Sequence, residues 1–276
     1  MYDEVKSAVD FISGLCVEVP KMALMTGTGF QKVLELVTIK EAINFDVIPN
    51  FPKKSNRSNG QFILAELSGI PLILMTGRLH YYEGFSMQEI AFPIRMLQLL
   101  NVSHAFFTNA AGSVNPHYNI GDMVMVKDHI NLLPEHPLRG YNDHRFGARF
   151  PDMSEVYNDE ANQLWVKLSK QLQLQTHTGV YMALQGPSLE TTAEYRMAHL
   201  LGADLIGMST IPEVIVAKHG GLKTNVCSIV SNACFPTEKI QKTSIEDIVN
   251  AVEHSVQNFI EVFQLFLPEH SKNIGF

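Results

Sequence analysis

Cysteine is scarce in this chain of 276 residues, which contains only Cys16, Cys227 and Cys234. An odd number argues against a disulfide framework, and no pair has the spacing of two to four residues that is typical of metal sites. We therefore expect reduced thiols in a cytoplasmic protein.

Charged residues are also few, at 18% of the chain, and the net charge of −7 comes without any basic run. This balance argues against a nucleic-acid partner, although a local site could still attract a small anion. No apolar run reaches the length of a membrane span, and the first residues lack the basic start and apolar block of a signal peptide. A soluble, cytoplasmic protein without a membrane partner is predicted.

Apolar runs, in contrast, are abundant and alternate with amphipathic segments nearly from end to end. This alternation predicts a largely parallel or mixed sheet with helices on both faces. Strands are predicted at 22–26, 61–67, 71–76, 104–108, 121–127, 178–184, 204–208 and 224–230, with a hairpin turn at Ser68 and Gly69. No segment has the composition of a linker, so residues 1–276 are expected to form a single α/β domain.

Helix starts are marked by capping boxes, in which a hydroxyl residue precedes a glutamate by three positions. The boxes pair Ser86 with Glu89, Thr191 with Glu194 and Thr210 with Glu213, and predict helices at 87–100, 192–201 and 211–219. Ser244 is the expected start of a long C-terminal helix, whose apolar stripe from Ile245 to Phe263 predicts a core-facing side. Segment 131–153 lacks periodicity and predicts a long ordered loop.

Small, polar or charged residues follow six of the predicted strands. Their segments are GTGF, GRLHYYEG, NAAGSVNP, QGPSLETTAE, STIPE and SNAC. Because open α/β sheets bind ligands beyond the carboxyl ends of their strands, we expect these six segments to converge on one site.

One group of these residues has the chemistry of an oxyanion site. Thr28 offers a hydroxyl between two glycines, and Arg78 and His80 carry donors on one side of an extended segment. Ala110 lies in a stretch of small residues with free amides, and Ser209 precedes a helix start, where N–H groups favour anions. A guanidinium fork, amides and hydroxyls together predict a phosphate site.

The second group consists of Glu190 and Asn232. A carboxylate and an amide that face one flat pocket suit a purine, because the edge of a purine base alternates donors and acceptors.

Each of these residues alone also has a structural explanation. The glycines around Thr28 occur in ordinary turns, and an isolated Arg78 or His80 is more often a structural side chain than a ligand-binding one. Glu190 would serve as a charge at a helix entry, and Asn232 as a turn former. The joint arrangement at the strand ends favours a site over separate structural roles.

The chain resembles the trimeric purine nucleoside phosphorylases from about residue 20 to 265, in the segments GRLHYYEG, TNAAGSVNP, DHINL, RFGARFPDMS, GPSLETTAEYRM and GADLIGMSTIPEVIVAKH. The last segment is also similar to methylthioadenosine phosphorylases. The resemblance implies a mixed sheet with a barrel-like distortion, flanked by helices and assembled as a homotrimer. It implies phosphorolysis of a purine nucleoside to free base and ribose 1-phosphate, with inorganic phosphate as co-substrate and no metal or organic cofactor.

The resemblance also implies a role for each site residue. Phosphate would be held by Thr28, Arg78, His80, Ala110 and Ser209, with Thr28 in place of the family's usual serine. Tyr82 and Met208 match residues around the ribose, Glu190 and Asn232 match the pair that holds the purine, and Phe150 matches an aromatic that enters a neighbouring subunit's site. Asn232, Glu190 and His80 are the expected catalytic residues.

Two family histidines are replaced in this chain. Ser58 stands nearest the position of a loop histidine that contacts phosphate, and Ser244 or Ile245 replaces one that meets the ribose 5′-hydroxyl. An apolar Ile245 would tolerate a modified 5′ position.

Several functions therefore compete. The leading hypothesis is phosphorolysis of 6-oxopurine nucleosides such as inosine and guanosine, because an amide at position 232 can donate to O6 of the base. A methylthioadenosine-type phosphorylase is favoured by Ile245 and disfavoured by Asn232. A nucleoside-binding protein without turnover is a third hypothesis, and a nucleoside hydrolase a weaker one, since hydrolysis would leave the phosphate cradle without a purpose.

Overall fold

The computed structural model describes residues 1–16, 18–53 and 60–274. Within them the strands are β1 (Met22–Thr26), β2 (Thr38–Asn44), β3 (Gln61–Leu67), β4 (Ile70–Thr76), β5 (His104–Ser113), β6 (Met123–Asn131), β7 (Thr176–Ala183), β8 (Leu205–Gly207) and β9 (Lys223–Ala233). The helices are α1 (Tyr2–Ser13), α2 (Met87–Leu99), α3 (Asp159–Gln171), α4 (Thr192–Leu200), α5 (Ile211–His219) and α6 (Ile245–Ile274).

The strands form one mixed sheet in the order β2-β3-β4-β1-β5-β8-β7-β6-β9. Because β9 also pairs with β5, the part from β5 to β9 closes into a ring, while β1 to β4 continue as an open sheet. Residues of α1, α2 and α5 belong to one core cluster, and residues of α3 and α6 to a second. The predicted mixed sheet with a barrel-like distortion and flanking helices is confirmed.

Two strands that carry the site, β5 and β9, are several residues longer than predicted. β5 continues through Ser113 because residues 109–113 pair with β9, and its last two residues also pair with β8. The small residues there show no alternation, so the sequence pattern ends before the strand does. β2 was not predicted, because all its residues except Ile43 are exposed in an edge strand without an apolar pattern. The hairpin at Ser68 and Gly69 is confirmed, with positive φ at both residues.

Two of the three predicted capping boxes are confirmed. Ser86 and Thr191 each accept a hydrogen bond from the main-chain N–H of the glutamate three residues later. The prediction for Thr210 is wrong: its side chain caps nothing, and its φ of 70° lies in the left-handed region. Thr210 and Glu213 bind Arg78 instead.

The stripe of α6 is buried from Val252 onward, where Phe259, Phe263 and Phe266 pack around Trp165 and Phe106. Its first turn departs from the prediction. Ile245, 62% exposed, and Ile248 line a cavity.

Candidate active site

A cavity of about 630 Å³ lies at the carboxyl ends of β1, β4, β5, β8 and β9. Every predicted site residue except Phe150 lines it: Thr28, Arg78, His80, Tyr82, Ala110, Glu190, Met208, Ser209 and Asn232. The expected convergence of strand-end segments is therefore present in the structure, with a cationic end around Arg78 and a neutral-to-acidic end around Glu190 and Asn232.

Arg78 is the charged centre of the first end, with a side chain only 3% exposed. Its Nε donates to the buried Glu213 carboxylate at 3.1 Å. Its Nη1 donates to the Thr108 main-chain oxygen and the Thr210 hydroxyl, each at 3.2 Å. Its Nη2 is buried and finds no hydrogen-bond partner among the described residues. Because an unpaired buried donor is unfavourable, this nitrogen is available to an anionic ligand.

The partners of Arg78 hold the guanidinium in place. Burial raises the pKa of Glu213, while the charge of Arg78 opposes that rise. Thr210 keeps its unfavourable backbone conformation while its hydroxyl accepts from Arg78 and, at 2.9 Å, from Asn109 Nδ2. These contacts fix the guanidinium plane before any ligand binds.

Thr28 and Ser209 bring hydroxyls to the same end. Gly27 lets the chain approach β5 closely, since a Cβ there would lie 2.6 Å from the Thr108 main-chain oxygen. Thr28 is exposed into the cavity, and Ser209 Oγ lies 3.4 Å from Arg78 Nη1, directly before α5. Hydroxyls, the N-terminal end of α5 and an available guanidinium nitrogen form a typical oxyanion environment.

His80 is oriented by Glu83. Its Nδ1 lies 3.0 Å from Glu83 Oε2, and its ring stacks on Tyr82 with 4.7 Å between centroids. This bond leaves Nε2 as the ring nitrogen directed elsewhere, and both rings line the cavity. Burial is the main cause of a raised pKa at Tyr82, so its phenol is neutral and can donate to a hydroxyl or an ether oxygen.

At the other end, Asn232 presents its amide from β9. Its Nδ2 donates to Cys234 Sγ at 3.0 Å, and its Oδ1 accepts from Ser231 at 2.7 Å. One N–H of the amide is left for a ligand. Burial raises the pKa of Glu190, and a main-chain hydrogen bond partly offsets that rise. An N–H donor and a carboxylate therefore line the same part of the cavity.

Met208 and Ile245 line apolar parts of the cavity. A Cβ on Gly186 would lie 2.3 Å from Met208 Sδ, so this glycine lets the loop after β7 pack directly on the methionine. Ser244 caps α6 by accepting from the Asp247 main-chain N–H at 3.1 Å and is committed to that role. Ile245, next to it, faces the cavity.

Two predicted positions lie outside this arrangement. Phe150 is 86% exposed on the long loop between β6 and α3 and does not line the cavity. Ser58 lies outside the described residues, so the effect of the missing loop histidine stays a prediction.

Four residues of the site were not predicted in these roles: Thr210 and Glu213 beside Arg78, and Tyr195 and Cys234 beside the base-facing pair. The capping-box pattern concealed Thr210 and Glu213. A glutamate in the apolar run of α5 was the available signal, because buried carboxylates require partners. Tyr195 and Cys234 left no such signal, since both also suit a core.

Over the described ranges 1–16, 18–53 and 60–274, no group of histidine, cysteine, aspartate and glutamate is arranged to hold a metal ion. In the same part of the chain, no helix combines the length and apolarity needed to cross a membrane.

Comparison with known proteins supports an enzyme. The model of the phosphorylase superfamily matches residues 21–268. Purine nucleoside phosphorylase 1 of Bacillus subtilis is 37% identical over 98% of this chain and 100% of its own. Two structures of Schistosoma mansoni purine nucleoside phosphorylase each have a TM-score of 0.90 and cover 96% of this chain. The inosine complex is 35% identical over 95% of that chain, and the adenosine complex 34% over 96%.

The chain belongs to the phosphorylase superfamily, with the purine nucleoside phosphorylases. This membership confirms the predicted family and the prediction of a pentosyl-transferring enzyme acting on purine nucleosides. One of the two Schistosoma complexes carries a 6-oxo nucleoside and the other a 6-amino nucleoside. The base preference of this chain is therefore argued from its own residues.

Proposed function

We propose that this enzyme cleaves 6-oxopurine nucleosides, including inosine, guanosine and their deoxy forms, with inorganic phosphate as the second substrate. The observation that supports the proposal most is the pairing of two chemistries in one cavity. A buried arginine nitrogen that has no hydrogen-bond partner among the described residues lies at one end, and an amide N–H beside a carboxylate lies at the other.

The first end suits phosphate by charge and geometry. Arg78 Nη2 and the Thr28 and Ser209 hydroxyls offer donors to several oxygens of one anion. His80 and the main chain at Ala110 complete the proposed cradle. The Arg78 charge is already fixed by Glu213, so little reorganisation is needed when phosphate binds.

The second end suits a 6-oxopurine. Asn232 Nδ2 keeps one N–H for an acceptor on the base, and Glu190 accepts from a ring N–H. A 6-amino base would instead place a donor against the amide N–H and leave the carboxylate without one. Tyr82 and Met208 lie between the two ends, where the ribose would be held.

The proposed mechanism follows from this order of groups. Cleavage of the C–N bond builds positive charge on the sugar, as in glycoside hydrolysis. Phosphate held by Arg78 lies below that charge, stabilises it and captures C1. The departing purine gains negative charge, and a hydrogen bond from Asn232 strengthens in the transition state.

The assembly proposed for the enzyme is a homotrimer in the cytoplasm, built from a single domain over residues 1–276. Phe150 is 86% exposed on the long loop between β6 and α3 and is therefore accessible to a neighbouring copy. The resemblance implies that it enters the site of that copy.

A second candidate is a nucleoside with an apolar 5′ substituent, as in methylthioadenosine. Ile245 and Ile248 support it, because they give the cavity an apolar rim where a histidine would serve a 5′-hydroxyl. Asn232 disfavours the adenine base of that substrate.

The test is release of free base from inosine, guanosine, xanthosine, adenosine and methylthioadenosine, each with and without phosphate. Phosphate-dependent cleavage of inosine or guanosine is expected. Cleavage of methylthioadenosine alone would support the second candidate, cleavage without phosphate would indicate a hydrolase, and binding without cleavage would indicate a nucleoside-binding protein.

A further inference from the structure

The base-facing end of the cavity is backed by residues from different elements. Asn232 Nδ2 donates to Cys234 Sγ at 3.0 Å. Tyr195 of α4 lines the same cavity as Glu190 and Asn232, and its phenol interacts electrostatically with the Cys234 thiol and the Glu190 carboxylate. Asn232 comes from β9 and Glu190 from the loop before α4, so Tyr195 and Cys234 connect two groups that otherwise share no element.

The donors and acceptors around Cys234 and Tyr195 can be assigned. Burial raises the pKa of Cys234 to about 12 and that of Tyr195 well above its ordinary value, so both are neutral. The carboxylate is the strongest acceptor among the neighbours of Tyr195, so the phenol hydrogen would be directed toward Glu190. The thiol hydrogen has the Asn232 main-chain oxygen, at 3.8 Å, as its acceptor. The sulfur is left as an acceptor, and the amide must turn its nitrogen toward it.

The space around the thiol is made for this contact. A Cβ on Gly112 of β5 would lie 2.7 Å from Cys234 Sγ and 3.4 Å from Asn232 Nδ2. Cys234 is fully buried, and Tyr195 is 4% exposed. Ser231 holds the other side of the amide by donating to Oδ1 at 2.7 Å. An amide fixed on both sides cannot exchange its oxygen and nitrogen without breaking two hydrogen bonds.

We propose that Tyr195 and Cys234 are positioning residues that set base specificity, by holding the Asn232 amide with an N–H toward the base and the Glu190 carboxylate ready to accept from it. The inference rests on the proposed base site and deepens it. Neither side chain needs to touch the base, because the thiol acts through the amide and the phenol through the carboxylate.

The experiment measures binding of hypoxanthine and adenine by calorimetry, which does not require turnover. In Cys234→Ala the amide loses its acceptor and can rotate. Hypoxanthine affinity is then expected to fall about 5- to 10-fold, while adenine affinity changes about 2-fold or less. Cys234→Ser should restore the hypoxanthine preference, because a hydroxyl also accepts from the amide and donates onward. Tyr195→Phe should weaken hypoxanthine binding in the same direction and less strongly.

Matched controls come from the same residue types. Cys227→Ala removes a fully buried thiol in β9, and Tyr157→Phe removes a buried hydroxyl that contacts His129 at 2.9 Å. Neither residue lines the cavity, and both variants should keep the wild-type ratio of hypoxanthine to adenine affinity.

Three results would overturn the inference: equal loss of both bases in Cys234→Ala, no rescue by a folded Cys234→Ser, or a wild-type protein that binds neither base. If Cys234→Ala does not fold, the ratio of hypoxanthine to adenine affinity in Tyr195→Phe and Cys234→Ser tests the inference instead. Phosphate-dependent turnover of the wild type is measured separately. A variant pattern as expected in a protein without turnover would uphold this inference and reject the proposed function.

Discussion

Strands β5 and β9 run side by side in parallel, with polar residues at both of their ends. At the amino ends, the His104 ring meets the His270 ring of α6 edge to face, with 5.1 Å between centroids, beside Lys223. At the carboxyl ends, Ala110 and Asn232 line the cavity. The same two strands thus carry unusual side chains at each end, but only one end has the features of an active site.

The difference lies in what surrounds the polar groups. At the amino ends, burial is the main cause that lowers the pKa of His104 and of His270 to about 4, and packing fills the space. At the carboxyl ends, a cavity of about 630 Å³ is lined by Arg78, whose Nη2 has no hydrogen-bond partner in the described part of the chain. A shifted pKa is therefore a weak sign of function unless open space and available donors accompany it. Variants at the carboxyl ends should therefore change activity, whereas variants at the amino ends should change stability.

The largest expected effect is at Arg78. Removing Arg78 alone would leave Glu213 buried without its cation, which costs about 3–5 kcal/mol, so the informative variant is Arg78→Met combined with Glu213→Gln. We expect kcat/KM for phosphate to fall about 10²- to 10³-fold, because a preorganised anion donor is lost.

The matched control is Arg95→Met, which removes another buried arginine, stacked on Phe146 at 4.5 Å and away from the cavity. It should lower the melting temperature and leave the KM for phosphate unchanged. A double variant at Arg78 and Glu213 with an unaltered phosphate KM would place the anion elsewhere.

The next effect in size is at Asn232. In Asn232→Asp the N–H toward the base is replaced by a carboxylate oxygen, which repels O6 and accepts from a 6-amino group. The ratio of kcat/KM for inosine to that for adenosine should fall about 10- to 100-fold, equivalent to about 1.4–2.7 kcal/mol. Asn158→Asp introduces the same charge at the N-cap of α3, where aspartate caps equally well, and should leave the ratio unchanged. An unchanged ratio in Asn232→Asp would reject the role assigned to this amide.

At the opposite ends of the strands, the histidine pair should govern stability in acid. Unfolded histidines bind protons near pH 6.5, whereas the buried pair does so only near pH 4, so the unfolded chain holds more protons in between. The free energy of unfolding should therefore be highest above about pH 7 and decrease by about 1–3 kcal/mol as the pH is lowered to 4. Denaturant melts across this range measure it.

His270→Leu should flatten this dependence without changing phosphate-dependent turnover at pH 7.5. His254→Leu, on the exposed side of the same helix, should leave the slope as it is. If His270→Leu abolished turnover in a fully folded protein, the contrast between the two ends would be wrong.

The sequence predicts the carboxyl-end site well because its segments are local and each follows a strand. Arg78 and His80 can be placed together from the alternation of one extended segment, and Asn232 from the end of an apolar run. The bond from Arg78 to Glu213 spans 135 residues along the chain, and no local pattern encodes such a contact. Asn232 and Cys234 are only two residues apart, but their contact depends on the missing side chain of Gly112 in a neighbouring strand, which the local sequence does not reveal.

The fold shows the same division. Buried elements are predicted because burial leaves a pattern in the sequence: β3 is an apolar run, and α6 has an apolar stripe at helical spacing. β2 is not, because an exposed edge strand has no apolar side to reveal it. Closure of the ring is also non-local, since β9 must pair with both β5 and β6.

The smallest expected effect is at Ile245, on the apolar rim of the cavity. Ile245 is 62% exposed and lines the cavity at the first turn of α6, so a larger polar side chain fits without displacing core residues. In Ile245→His, an imidazole can hydrogen-bond a ribose 5′-hydroxyl, and such a bond contributes about 0.5–1.5 kcal/mol. The ratio of kcat/KM for inosine to that for 5′-deoxyinosine should rise about 2- to 10-fold. Glu246→His, one position along on the same helix and absent from the cavity lining, is the control and should not move the ratio. A fall in activity on 5′-deoxyinosine with inosine unchanged would show that Ile245 binds the apolar 5′ end directly, and would strengthen the case for a 5′-modified substrate.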